Sequence, residues 1–323
     1  MNRRDSELFP ENPNIIYMGT PDFSVPPLKA LLKAGYRISA VVTQPDRRRG
    51  RGKSVSFSPV KQAALENSLK VIQEEKINDK AFIEELKACD PDLFIVTAFG
   101  QILNSELISL PGYGAVNIHA SLLPKYRGAA PIQWAILNND AVTGITIMRM
   151  VRGLDAGPIL FKEEVPIGEN ETAGRLFERL SRISGDVIVK FLKSSAGKIL
   201  QEEPQADEKA SYAPKITKEM AVINWEADAL KVSSHIRAMD PSPGAFSMIG
   251  DIKIKMFSPS VPDSHSSSGV PGEVIIDSAN RFMVAAGKGR VEIREIQFPG
   301  KKRMKVEDYL RGNKINPGTV LGK

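Results

Sequence analysis

A single cysteine, Cys89, stands in 323 residues, which excludes an internal disulfide and any cysteine-built metal cluster. Only three histidines are present: His119, His235 and His265. None has partners at metal-ligand spacing, so no metal site is expected. No apolar run approaches the roughly 20 residues of a membrane helix, so no membrane association is expected. The opening MNRRDSELFPENPN has no apolar stretch and three acidic side chains, unlike an export or transit signal. The expected compartment is therefore the cytosol. A dinucleotide fingerprint is missing too: the first turn offers Gly19 and then Pro21 in place of GxGxxG.

The composition, 42% apolar and 25% charged, is that of a globular chain, and 323 residues point to two domains. The net charge of +6 is unevenly spread. Residues 1–214 hold 27 Lys and Arg against 26 Asp and Glu, and residues 215–323 hold 17 against 12. A basic C-terminal third suits a polyanionic partner, although a solvated basic surface has the same composition.

Apolar periodicity sets out the elements. A strand at 14–18, a helix at 25–32 closed by Gly35 and a strand at 38–43 make a β-α-β start. Helices are predicted at 59–65 and 79–89, a short strand at 69–71 and a strongly apolar strand at 92–97. The stretch 113–134, YGAVNIHASLLPKYRGAAPIQW, ends a buried strand with Asn117 and His119 and starts a helix at Pro131. Strands at 143–148 and 159–165 flank a loop in which Gly153 and Gly157 bracket Asp155, and a long helix covers 171–193. Together these predict an α/β, Rossmann-like, doubly wound and mostly parallel sheet over residues 14–200, after a flexible tail at 1–13. The polar, aperiodic segment 201–213 reads as a linker. A helix at 229–239 and five short strands at 245–249, 252–257, 272–276, 282–285 and 291–297 predict a small OB-like β-barrel within 214–323. Its Ser-rich stretch 259–269 reads as a disordered loop tip.

Two stretches carry chemistry. Residues 44–58, QPDRRRGRGKSVSFS, read as a long loop holding Arg47, Arg48, Arg49, Arg51 and Lys53 against one acid, Asp46. It is either a solvated flexible loop or a mobile basic arm that grips phosphates. The other stretch is Asn117-x-His119, placed where an open α/β sheet handles ligands. Alternation along a strand points both side chains the same way. A carboxylate from the 151–158 loop, Asp155, would orient the imidazole and favour its protonated form. Asn117 would offer an amide N–H to a developing oxyanion. With no convincing Ser or Cys nucleophile, these residues point to direct transfer between two bound substrates. Ser121, ahead of Leu-Leu-Pro, reads as a backbone-positioning residue.

The run SLLPKYRGAAPIQWAI, with NIH before it and GLDAG after it, resembles the folate-dependent formyltransferase superfamily. The stretches MGTPDFS, TQPDRRRGRGK, TAFGQIL, YAPKITKEMAVINW, IRAMDPSPGAF and IQFPGKKRM narrow the resemblance to the methionyl-tRNA formyltransferase family over nearly the full length. The resemblance implies Asn117, His119 and Asp155 as the catalytic set. It implies that Ser121, Leu122, Leu123 and Pro124 line a site for 10-formyltetrahydrofolate, with Phe99, Gly100, Gln101 and Ile102 as its other wall. It further implies a methionyl-initiator tRNA acceptor and a monomeric enzyme. The basic loop, and Lys301, Lys302, Arg303 and Lys305, are the expected phosphate contacts. Two alternatives remain at this level: a formyltransferase acting on a small amine such as a nucleotide sugar or glycinamide ribonucleotide, and a non-catalytic RNA-binding protein.

Overall fold

Every residue of strand β1, Ile15–Gly19, is buried. A run buried on both faces needs paired edges and covered faces, the situation of a central parallel strand. The computed structural model, which describes residues 7–49, 54–264, 269–276 and 281–322, supplies both. After β1 come helix α1 (Val25–Lys33), β2 (Ile38–Thr43), β3 (Arg47–Arg49), β4 (Ser54–Ser56), α2 (Pro59–Glu66), β5 (Val71–Gln73), α3 (Lys80–Lys87), β6 (Leu93–Thr97), α4 (Ser105–Ile108) and β7 (Ala115–His119). Then follow α5 (Pro131–Leu137), β8 (Val142–Arg149), β9 (Ile159–Pro166) and α6 (Ala173–Ser195). The principal sheet has the order β5-β2-β1-β6-β7-β8-β9. Pairing is parallel from β5 through β7 and antiparallel between β7 and β8. Chain order reverses between β1 and β6, so the ligand crevice of such a sheet is expected beyond Gly19 and Thr97. Gly19 is required there because a Cβ would lie 2.7 Å from the Ser24 Cβ.

Two compact units divide the chain. One holds residues up to 128, 143–165 and 177–212; the other holds 129–142, 166–176 and 213 onward. The division differs from a single cut at 201–213 because α5 packs on helix α7 (Ala229–Met239). In the second unit, β10 (Phe246–Ile249), β11 (Ile252–Asp263), β12 (Val274–Ile276), β13 (Phe282–Ala285), β14 (Arg290–Gln297) and β15 (Met304–Lys305) precede α8 (Val306–Leu310). Its strands pair antiparallel in the order β10-β11-β14-β13-β12, with β15 added to β14. This is the expected OB-like module in the form of a half-barrel. Trp225, Ile236, Met256, Val291 and Ile296 lie in its core.

Three expectations change. Residues 44–58 are not one open loop: β3 and β4 pair as an antiparallel hairpin. The tail reading fails from Leu8 onward. Phe9 is 1% exposed, its ring meets Tyr113 and Phe191, and its backbone exchanges hydrogen bonds with Gly197 and Lys198. Residues 1–6 lie outside the described residues. The loop reading of 259–269 fails at its start, because β11 continues through Pro259 and Ser260, opposite Ile293 and Glu292. The Ser260 hydroxyl bonds the Glu292 carboxylate at 2.6 Å. His265 falls outside the described residues.

Candidate active site

β7 delivers Asn117 and His119 at its carboxyl end, paired with Met148 and Thr146 of β8. His119 is buried, and its Nε2 lies 2.9 Å from the Tyr126 carbonyl oxygen. A carbonyl only accepts, so Nε2 carries a proton and Nδ1 is the functional nitrogen. Nδ1 faces Asp155 Oδ2 at 3.7 Å. That separation is longer than a direct hydrogen bond and leaves the pair open to a substrate proton. Asp155 Oδ2 also accepts the Gly128 N–H at 2.8 Å, while Oδ1 has no hydrogen-bond partner among the described residues. The Asn117 side-chain amide likewise has none and is partly exposed. One nitrogen is anchored, and one amide and one carboxylate oxygen are free. Such a set can stabilise an oxyanion and relay a proton.

The SLLP stretch divides by side chain. Ser121 is buried and its hydroxyl donates to the Lys125 carbonyl at 2.6 Å, so it closes a turn. Leu123 is buried against Met148 and Ile159. Neither side chain lines an open site, because each is consumed by packing. Leu122 and Pro124 are partly exposed and remain available to a ligand. Leu122 seats on Gly144, where a Cβ would come within 2.5 Å of it. The other wall divides too. Phe99 is core, Gln101 reaches the Glu74 carbonyl, Gly100 is exposed and Ile102 is 87% exposed.

Beside these loops, at the switch point of the sheet, lies a cavity of about 260 Å³ lined by Thr20, Pro21, Gln44, Arg47, Ser58 and Phe99 among others. The Phe99 carbonyl accepts from Thr20 Oγ1 and Gln44 Nε2, which joins the β1, β2 and β6 ends. Asp46, the single acid of the basic stretch, is bonded by Lys61 and Gln73. The Lys61 hydrogen bond, followed by Gln73, holds its carboxyl below the ordinary range. It therefore serves Lys61, and Arg47 is left with one long contact to Gln44. Arg48 and Arg49 belong to β3, and Arg51 and Lys53 lie outside the described residues.

Among the C-terminal cations, Arg303 is reassigned. Its guanidinium bonds both oxygens of buried Asp240 and reaches Glu295, with Cζ 4.1 Å from the Phe257 ring centroid. Its charge is thus already paired within the second unit, although the residue is exposed. Arg303→Ala leaves the Asp240 carboxylate unpaired and should lower stability by about 3 kcal/mol. Denaturant unfolding of the whole chain reads this directly, and an unchanged midpoint would refute it. Lys301, Lys302 and Lys305 are exposed and have no ion-pair partner among the described residues. Lys253, not singled out from the sequence, stands 3.3 Å over the Phe246 ring. Burial, with Lys255 and Lys218 nearby, pushes its ammonium below the ordinary lysine value. Burial also lowers His235, which is a packed residue of α7.

Sequence reading missed the backbone half of the site: the Tyr126 carbonyl, the Gly128 N–H and the segment 202–211. That segment is not a free linker. Glu203 exchanges two backbone hydrogen bonds with Ile159, and Ser211 accepts from the Arg127 N–H and, through its hydroxyl, from the Tyr126 N–H. Only its polarity was visible beforehand, and polarity does not distinguish a strap from a linker.

The Formyl transferase family model matches residues 14–192, and that for the Formyl transferase C-terminal domain matches 215–314. A methionyl-tRNA formyltransferase of Acetivibrio thermocellus is 41% identical over 309 residues, covering 96% of this chain and 99% of the relative. One from Caldanaerobacter subterraneus subsp. tengcongensis is 44% identical over 309 residues, covering 95% and 99%. Among solved structures, a sugar 3N-formyl transferase, WlaRD, with dTDP and 5-N-formyl-THF has a TM-score of 0.64 at 21% identity, over 90% of this chain and 98% of that one. HypX from Aquifex aeolicus in complex with tetrahydrofolic acid gives 0.59 at 17%, over 93% and 47%. At these identities the two structures speak to the fold alone.

Proposed function

The chain belongs to the formyl transferase family, with methionyl-tRNA formyltransferases as relatives over at least 95% of its length, and on that premise we propose that it formylates the α-amine of methionyl-tRNA from 10-formyltetrahydrofolate. The observation that carries the reading is the approach of His119 and Asp155, with Nδ1 and a carboxylate oxygen 3.7 Å apart, at the end of the strand that also carries Asn117. The partly exposed Leu122 and Pro124 and the bare Ile102 fit a flat, largely apolar donor. The donor supplies an electrophilic formyl carbon. Asn117 donates to the formyl oxygen as the amine attacks and charge develops there. Protonated His119 adds to that stabilisation from Nδ1, its Nε2–H being held by Tyr126. Asp155 supports the imidazolium and accepts the proton that the amine loses as its C–N bond forms. The proton then passes to the departing nitrogen as the old C–N bond breaks. A cytoplasmic monomer acting on the initiator tRNA is the matching expectation; no helix among the described residues is long and apolar enough to cross a membrane.

The deciding assay offers labelled formyl donor to charged tRNA and to small amines in parallel. Transfer to the tRNA alone supports the reading; transfer only to a small amine overturns the acceptor. The hairpin gives a second test. Arg47 is exposed, beside the cavity, and not neutralised by Asp46. Arg47→Ala should raise the tRNA KM about three- to tenfold at low salt and reduce the salt slope of binding by about one. An equal KM defect at every salt concentration excludes a phosphate contact.

A further inference from the structure

We propose that Gln205, clamped by Arg127, is the positioning residue that sets Asp155 against His119. The inference rests on the reading of Asp155 as part of the chemistry. Asp155 adopts φ +47°, in the left-handed region that aspartate enters more readily than most non-glycine residues but still at a cost. Such a backbone persists only where its surroundings over-determine it. Gln205 supplies that determination. Its Nε2 donates to the Asp155 carbonyl at 2.8 Å and to the Gly157 carbonyl at 2.7 Å. Its Oε1 accepts from Arg127 Nε at 3.0 Å and from Arg127 Nη2 at 2.9 Å. Two donors and two lone pairs are the whole capacity of a carboxamide. The guanidinium only donates and the carbonyls only accept, so the amide has one orientation.

Arg127 is 4% exposed, yet its acidic partner, Asp207, has a side chain 83% exposed. A solvated carboxylate does not account for burying a guanidinium. The buried face of Arg127 is spent on Gln205. Arg127 also follows Tyr126, whose carbonyl anchors His119 Nε2, and precedes Gly128, whose N–H holds Asp155 Oδ2. One clamp thus fixes both members of the His119–Asp155 pair.

The test is a mutant cycle on the full chain with Gln205→Glu, Asp155→Asn and the double variant. Gln205→Glu keeps the acceptors for Arg127 but sets an oxygen against two carbonyls. kcat should fall about 30- to 100-fold, as expected of a displacement near 1 Å. KM for the donor and for the tRNA should stay within about twofold. In the Asp155→Asn background, Gln205→Glu should cost less than about threefold further, because its effect passes through Asp155. Asp207→Asn should leave kcat within about twofold, the carboxylate being solvated. Full multiplicativity in the double variant overturns the proposal, as does wild-type kcat in Gln205→Glu beside a crippled Asp155→Asn. Wild-type kcat in Asp155→Asn fails the underlying reading instead. If Gln205→Glu does not fold, Gln205→Met, of similar length and without donors, carries the same cycle.

Discussion

His119→Ala is expected to lower kcat by about 10³-fold, within the range for loss of a positioned proton-transfer group, while KM for either substrate should change little. The ring is buried and offers one nitrogen to the reaction, because the other is committed to the Tyr126 carbonyl. Removing it takes away the transition-state partner of Asp155 and leaves the donor and tRNA contacts intact. The effects are also predicted to be non-additive. His119→Ala with Asp155→Ala should be no slower than the worse single variant by more than a few-fold, since the two act as one unit. Thermal unfolding of each variant separates chemistry from folding. Turnover near wild type in a folded His119→Ala protein removes the residue from the catalytic set, and independent multiplicative losses separate it from Asp155.

What the sequence made legible follows from the range over which each signal acts. β1, β6 and β7 are apolar runs whose burial is written in their own residues, and Asn117 and His119 inherit their direction from β7. The helices expected from 59 and from 229 start there in the structure, where Ser58 caps the Lys61 N–H and Asp228 the Lys231 N–H. Roles decided by distant partners were not. Arg303 counts as a cation until Asp240, 63 residues away, is seen to be its counter-charge. That the Leu123 side chain packs with Met148 and Ile159 is likewise decided by residues 25 and 36 positions away. Residues 202–211 have no periodicity because their bonds go to backbone groups of loops 50 to 85 residues earlier. The β3–β4 hairpin was hidden because its strands carry arginine and serine where alternating apolar residues would signal a strand.

The two glycines around Asp155 look equivalent in sequence and should respond very differently to substitution. Neither has a positive φ, so space is what distinguishes them. A Cβ on Gly157 would lie 1.8 Å from the Arg149 carbonyl oxygen and 2.9 Å from its carbon. Both atoms are backbone at the end of β8, where Arg149 N–H bonds the Pro158 carbonyl at 2.9 Å. No side chain can rotate away to make room, so the 155–158 loop must leave the strand. Gly157→Ala should therefore cost about 3 kcal/mol, at the upper end for overpacking. It should also reduce kcat about 10²-fold, because the Gly157 carbonyl and Asp155 move together. At Gly153 the nearest atom to a new Cβ is the Ala156 Cβ at 3.1 Å, within one loop. A few tenths of an ångström relieve that contact, and Gly153→Ala should stay within about 1 kcal/mol and about threefold of wild-type kcat. Paired denaturant titrations and kcat measurements on the two variants decide the matter. Equal tolerance at both positions would mean that contact with β8 does not hold Asp155 in place.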